Sequence, residues 1–138
     1  MLRRFRAEFI KSDAGVGIGI VEHDRSWNEQ TVAIQSLYEP RNISNRDATM
    51  IILQTIYNDL GDDEGAVLQM SKYSQRKDLA RPFRKRLSAQ RITGNRGQLY
   101  QAQLLAEDAI RRQSDIYERF AEPMRFSVIE QEKEEGGT

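Results

Sequence analysis

Apolar residues recur along this chain at three- and four-residue intervals, and that spacing predicts helices. Leu2, Phe5, Phe9 and Ile10 form one side of a first helix, with Arg3, Arg4, Arg6 and Lys11 around it. A helix that starts at the first residue raises the expectation of a piece excised from, or started inside, a longer chain. Gly15-Val16-Gly17-Ile18-Gly19-Ile20-Val21 alternates as a short strand would, or serves as a flexible apolar connection docked on helices. Three alternate glycines weaken a strand, so the connection is the favoured reading. Ser26-Trp27-Asn28-Glu29 has the form of a capping box and predicts a helix to about Tyr38, ahead of Pro40.

Ser44 or Asn45 caps the next helix. Its apolar set is Ala48, Ile51, Ile52, Ile56 and Leu60, widened by Met50, Leu53 and Tyr57, with Gly61 as the stop. Asp62 or Asp63 opens a short helix carrying Ala66, Val67, Met70 and Tyr73, and a helix from about Leu79 to Arg91 follows with Pro82 early in it. Thr93 to Gly97 reads as a turn. The last helix, Gln98 to Ala121, stops at Pro123, and Met124 to Ile129 adds a packed strap. The expected fold is therefore all-α, a compact bundle of four to six helices over residues 1–129, with at most one strand-like segment near 15–21. Residues 130–138 read as an acidic, disordered tail.

Charge changes this picture. The chain is neutral over its 138 residues, yet residues 72–96 hold nine bases (Lys72, Arg76, Lys77, Arg81, Arg84, Lys85, Arg86, Arg91 and Arg96) against the single acid Asp78. The local excess is +8, and −8 is left for the rest. Such a segment attracts a polyanion by releasing its counterions. On a regular helix Leu79, Ala80, Phe83 and Leu87 share one side, while Lys77, Arg81, Arg84, Lys85 and Arg91 gather opposite. These five are the principal candidate phosphate contacts, with Arg76, Arg86 and Arg96 at the edges. Tyr73 and Tyr100 flank the region, either to stack on a base or as half-buried packing residues.

Composition excludes several classes. Apolar residues make up 38% and charged ones 30% of the chain, mean hydropathy is −0.70, and cysteine is absent. No disulfide framework or cysteine-based zinc site is open to it, a reducing, cytoplasmic compartment is expected, and neither a signal peptide nor a membrane span is legible. The Gly15-x-Gly17-x-Gly19 pattern lacks dinucleotide-fold spacing. His23 stands alone between Glu22 and Asp24, and Asp59, Asp62, Asp63 and Glu64 lack the spacing of a calcium loop. With no catalytic constellation, no metal site and no cofactor legible, the expectation is a non-enzyme.

Leu2 to Phe9, the Gly15-to-Val21 connection and Tyr73-Ser74-Gln75-Arg76-Lys77-Asp78-Leu79-Ala80-Arg81-Pro82-Phe83-Arg84 together resemble the C-terminal region of the type I-D CRISPR-Cas large subunit, which is also made separately as a small subunit. That resemblance implies a non-catalytic subunit of an RNA-guided effector complex, present in more than one copy beside other effector subunits. It would hold target and displaced DNA strands, guide RNA or their hybrid during R-loop formation. The alternative is an interaction scaffold whose basic helix docks an acidic protein partner.

Overall fold

The computed structural model describes residues 2–24, 30–71, 86–91 and 96–124. It is a mixed α/β fold, and the all-α expectation is wrong. Six strands, β1 (Leu2–Ser12), β2 (Gly15–His23), β3 (Thr31–Glu39), β4 (Gly65–Met70), β5 (Leu87–Arg91) and β6 (Ile116–Met124), form one sheet in the order β5-β4-β1-β2-β3-β6. Two α-helices, α1 (Asn45–Asp59) and α2 (Tyr100–Arg112), accompany it among the described residues. β1, β2 and β3 form an antiparallel meander, and β6 adds antiparallel to β3. β4 and β5 run parallel to β1 on its other side.

The expected first helix is β1, and one residue explains the difference. Phe5 and Phe9 satisfy a helical spacing, but Ala7 between them is fully buried and completes a period-two face with both rings. The opposite face of β1 carries Arg4, Arg6 and Glu8. The Phe5-Ala7-Phe9 face meets Val16, Ile18 and Ile20 of β2 and Ala66, Leu68 and Met70 of β4 in one core, which α1 closes with Ala48, Ile52, Leu53 and Ile56. The helix expected from Asp62 or Asp63 is thus β4. The one expected to reach Tyr38 is β3, and Leu87 to Arg91 is β5 instead of a helix end.

α1 itself forms where its apolar spacing places it. Ser44 is the N-cap, its hydroxyl accepting from the Asp47 amide at 3.1 Å. The expected long final helix stops instead at Arg112, because Gln113 takes a left-handed conformation, φ 57°. The chain then returns as β6, placing Ile116 and Tyr117 exposed at the sheet edge.

The glycine-rich segment is β2, an interior strand buried along its whole length. Its glycines serve packing. α2 lies across β1, β2 and β3 on the face opposite α1 and presents only Ala102, Ala106 and Ala109 as buried residues. A β-carbon at Gly17 would lie 1.9 Å from the Ala106 carbonyl oxygen, and one at Gly19 would lie 1.9 Å from that of Ala102. Small residues on both sides let helix backbone rest directly on strand backbone. Ser36 of β3 secures the contact, donating its hydroxyl hydrogen to the Leu105 carbonyl at 2.7 Å and accepting from Arg112 at 2.9 Å. The capping box at Ser26, the strap beyond Met124 and the acidic tail lie outside the described residues.

Candidate nucleic-acid interface

Two polar sites face opposite ends of the sheet. At the start of β1, on the α1 side, Arg3 is 7% exposed and grips the Glu22 carboxylate through Nε at 2.9 Å and a terminal nitrogen at 2.8 Å. It also donates to Asp59 Oδ2 at 2.6 Å, to the Asp59 carbonyl at 2.9 Å and to Glu64 at 3.1 Å. Arg119 of β6 adds a second contact to Glu22 at 2.7 Å. The Glu22 carboxylate, then Asp59, raise the Arg3 pKa against the opposing effect of burial. Glu22, Asp59 and Glu64 are thus partners of one buried arginine.

The second site stands at the other end, where β1 and β4 run side by side and β3, through α1, has crossed to the far side of β1. Carboxyl ends of strands at such a crossing form the usual ligand crevice of open α/β sheets. Here Glu8, 7% exposed, accepts from Ser71, the residue after β4: from its amide at 3.1 Å and from its one hydroxyl hydrogen, with that hydroxyl 2.7 and 2.8 Å from the two carboxylate oxygens. Two residues earlier on the same face, Arg6 Nε donates to Gln69 at 3.1 Å, and Gln69 donates on to Gln90 of β5 at 3.5 Å. Burial lowers the Arg6 pKa.

His23 borders this face opposite Arg4. Burial, and then the charge of Arg6, push its pKa down to about 4. The histidine is buried neutral, so the unfolded chain binds the extra proton between pH 6.5 and 4. Stability should therefore fall over that interval as pH decreases, by roughly 3 kcal/mol in all. Urea midpoints measured from pH 7 to 4.5 should decline in the wild type and decline less in His23→Gln; a flat wild-type curve would refute the assignment.

Of the basic residues named from sequence, the described Arg91 stands on a strand and not on a helix. Arg76, Lys77, Arg81, Arg84 and Lys85 lie outside the described residues, as does Tyr73. Arg86 precedes β5 and is committed to the fold: it donates to the Glu64 carbonyl at 3.1 Å and to the Gly61 carbonyl, and lies 5.3 Å from the Tyr57 ring centre. Arg91 ends the same strand, about 16 Å away at strand rise, paired with Met70 beside Ser71. Arg96 opens the short 3-10 turn Arg96–Leu99 ahead of α2. Tyr100 is half-buried in the first turn of α2. Arg3, Arg6, Glu8 and Glu22 were missed, although Arg-x-Arg at 4 and 6 followed by Glu8 carries the period-two signal.

Divalent cations are commonly held by clustered carboxylates. Among the described residues no three His, Asp or Glu side chains form a group that could hold a metal ion. Glu8 meets Ser71. Glu22, Asp59 and Glu64, which do converge, have the Arg3 guanidinium in the place of a cation.

No protein-family model and no curated protein matches the sequence. Solved structures do match the fold. The RNase H1 of the archaeon Halobacterium salinarum NRC-1 superposes with a TM-score of 0.56 at 14% identity, over 81% of this chain and 99% of that one. LC11-RNase H1, isolated from compost by a metagenomic approach, gives 0.55 at 19% identity over 80% and 96%. Its complex with an RNA/DNA hybrid gives 0.53 at 17% over 81% and 97%.

These matches overturn the CRISPR small-subunit resemblance, whose helical bundle is not the observed architecture. They likewise remove the ground for expecting a non-enzyme, since the similar structures are RNase H1 enzymes. The scaffold alternative gains nothing from them, nor do effector-subunit partners or multiple copies. Among the described residues no helix is long and apolar enough to cross a membrane. The matches cover 96–99% of the matched chains at TM-scores of 0.53 to 0.56: this chain has the fold of RNase H1.

Proposed function

We propose that this protein is a nucleic-acid-binding domain of nuclease-like type whose ligand is an RNA/DNA hybrid. The observation that carries the reading is the likeness to RNase H1 structures over 96–99% of their length, one of them in complex with an RNA/DNA hybrid. The charge distribution supports it. The +8 stretch begins directly after Ser71, and Arg91, in register with Met70, closes β5, so these two described positions flank the crevice at the carboxyl ends of β1 and β4. Lys77, Arg81, Arg84, Lys85, Arg91, Arg76 and Arg96 would neutralise backbone phosphates, while Arg86 is spent on the α1–β4 connection. The cytoplasm, inferred from the missing cysteines, is the proposed compartment.

The test is a titration against labelled hybrid, duplex DNA and single strands at 50 and 200 mM salt, followed for RNA-strand cleavage with Mg²⁺ present. The hybrid should bind most tightly, with affinity falling at least about tenfold between the two salts if three or more phosphates are neutralised. Reversing Arg81, Arg84 and Lys85 to glutamate should abolish binding while leaving the circular-dichroism spectrum unchanged. Salt-insensitive binding, or equal binding by the reversed variant, would overturn the assignment.

A further inference from the structure

β6 stands last in the sheet order, so one side of its backbone faces no strand among those described. Such an edge presents a row of amide and carbonyl groups to any extended chain that comes beside it. Three large apolar side chains are exposed among the described residues, and two of them, Ile116 at 39% and Tyr117 at 50%, are neighbours on this strand. Tyr117 and Arg119 lie on the sheet face that carries α1, opposite Gln35 and Ala33 of β3, while Ile116 and Glu118 lie on the α2 face. The alternation carried one step back puts Asp115 on the α1 face as well, and this carboxylate accepts from the Tyr38 amide at 2.7 Å. Arg119 reaches Glu22 at 2.7 Å and Asp59 at 3.6 Å through one terminal nitrogen, with 44% of its side chain exposed.

We infer that β6 is a self-association edge, at which a second copy of this chain adds antiparallel and continues the sheet across a two-fold axis at Tyr117. An axis normal to the sheet keeps the same face up in both copies, so it passes through a residue and not between two. Charge selects which residue. An axis at Glu118 or Arg119 sets that charge directly against its own mate, and one at Phe120 sets Glu118 against Glu122; like charges directly opposite destabilise a strand pair. An axis at Ile116 sets Arg119 against Gln113, which caps α2 and is not extended. At Tyr117 the strands overlap from 114 to 120, the two tyrosines meet, and Asp115 of each copy faces Arg119 of the other. The charges that discourage arbitrary strands at this edge are thereby matched to a second copy, and the two-fold closes after one addition. β2 and β3 separate β6 from the crevice between β1 and β4, so the inference is independent of the proposed hybrid binding.

Sedimentation velocity of the full chain tests this. One strand pair is smaller than a standard interface, so the 16.0 kDa monomer should prevail at about 5 μM and a species of twice that mass at about 500 μM. Tyr117→Asp, which sets two carboxylates at the axis, should stay monomeric at both concentrations and keep the circular-dichroism spectrum. Because the chain has no cysteine, a single introduced one reports the register. Tyr117→Cys should cross-link on mild oxidation, since directly opposite β-carbons lie about 4.5–5.5 Å apart, a small adjustment from disulfide geometry. Ile116→Cys would lie about 7–8 Å from its mate on the diagonal and should cross-link at least about tenfold more slowly. Leu2→Cys, at a position as exposed as Tyr117 but on β1, should be equally slow. A wild type that stays monomeric at the higher concentration, a Tyr117→Asp variant that associates as strongly as wild type, cross-linking of all three cysteine variants at one rate, or growth beyond two copies would each overturn the inference.

Discussion

Gly19→Ala is expected to cost the protein a large part of its stability, about 3–5 kcal/mol against the 5–15 typical of a domain. The new methyl would sit 1.9 Å from the Ala102 carbonyl oxygen, 2.8 Å from its carbon and 2.9 Å from the Ala106 amide nitrogen. Every one of these atoms is helix backbone, so no side chain can turn away to make room. α2 must retreat from β2 by more than about 1 Å, and that retreat forfeits the dispersion contacts of Ala102, Ala106 and Ala109 together. Ser36 and Arg112, which join β3 to the helix, lose their geometry in the same movement. Gly17→Ala meets the Ala106 carbonyl in the same way and should behave alike. Gly61→Ala is the control: its new atom would meet only the Glu64 side chain, 3.3 Å away, and should shift stability by less than about 1 kcal/mol. Guanidinium denaturation of the three variants measures this. A Gly19→Ala midpoint equal to wild type would mean that α2 does not rest on β2 as described.

Arg3→Ala has the second-largest expected effect, about 3–5 kcal/mol, because it removes one side of a buried ion-pair network and leaves the other side charged. Glu22, 6% exposed, would keep only Arg119, and Asp59 would lose its 2.6 Å contact. The network joins β1, β2, the end of α1, the connection into β4 and β6, so its loss is felt in the sheet and in α1. Part of the cost is packing, since the Arg3 guanidinium also lies 5.3 Å from the Phe5 ring centre. The double variant Arg3→Met with Glu22→Met should be more stable than Arg3→Ala, because it removes the buried charges in pairs. Equilibrium unfolding in urea distinguishes these outcomes. If Arg3→Ala lost less than about 1 kcal/mol, the site would be behaving as an exposed salt bridge.

The candidate interface depends on the same framework. Glu8 and Ser71 are 63 residues apart in the chain and meet only because β4 inserts beside β1 in parallel register. Nothing in either local sequence marks the pairing. The basic excess over residues 72–96 is the opposite case, since charge along a chain is a property of composition and needs no fold to be read. What folding adds is a sorting of those bases. Arg86 is drawn into a contact with Gly61, Glu64 and Tyr57, while Arg91 is carried to the far end of β5.

By itself the sequence determined α1, the placement of its cap at Ser44 or Asn45, the absence of cysteine chemistry and the polarised charge. Each of these is local: a helix closes its hydrogen bonds within four residues, and a cap within three. The tertiary structure decided that residues 2–12, 15–23, 31–39, 65–70, 87–91 and 116–124 are strands. A strand has no hydrogen bonds of its own, and its partner is found far along the chain, so context outweighs propensity. Phe5 and Phe9 satisfied both a helical and an extended period. Only the neighbours on β2 and β4, together with the burial of Ala7, settled which one holds. The glycines of β2 argued locally against a strand, and a helix more than eighty residues away made them necessary, because nothing larger fits beneath its backbone.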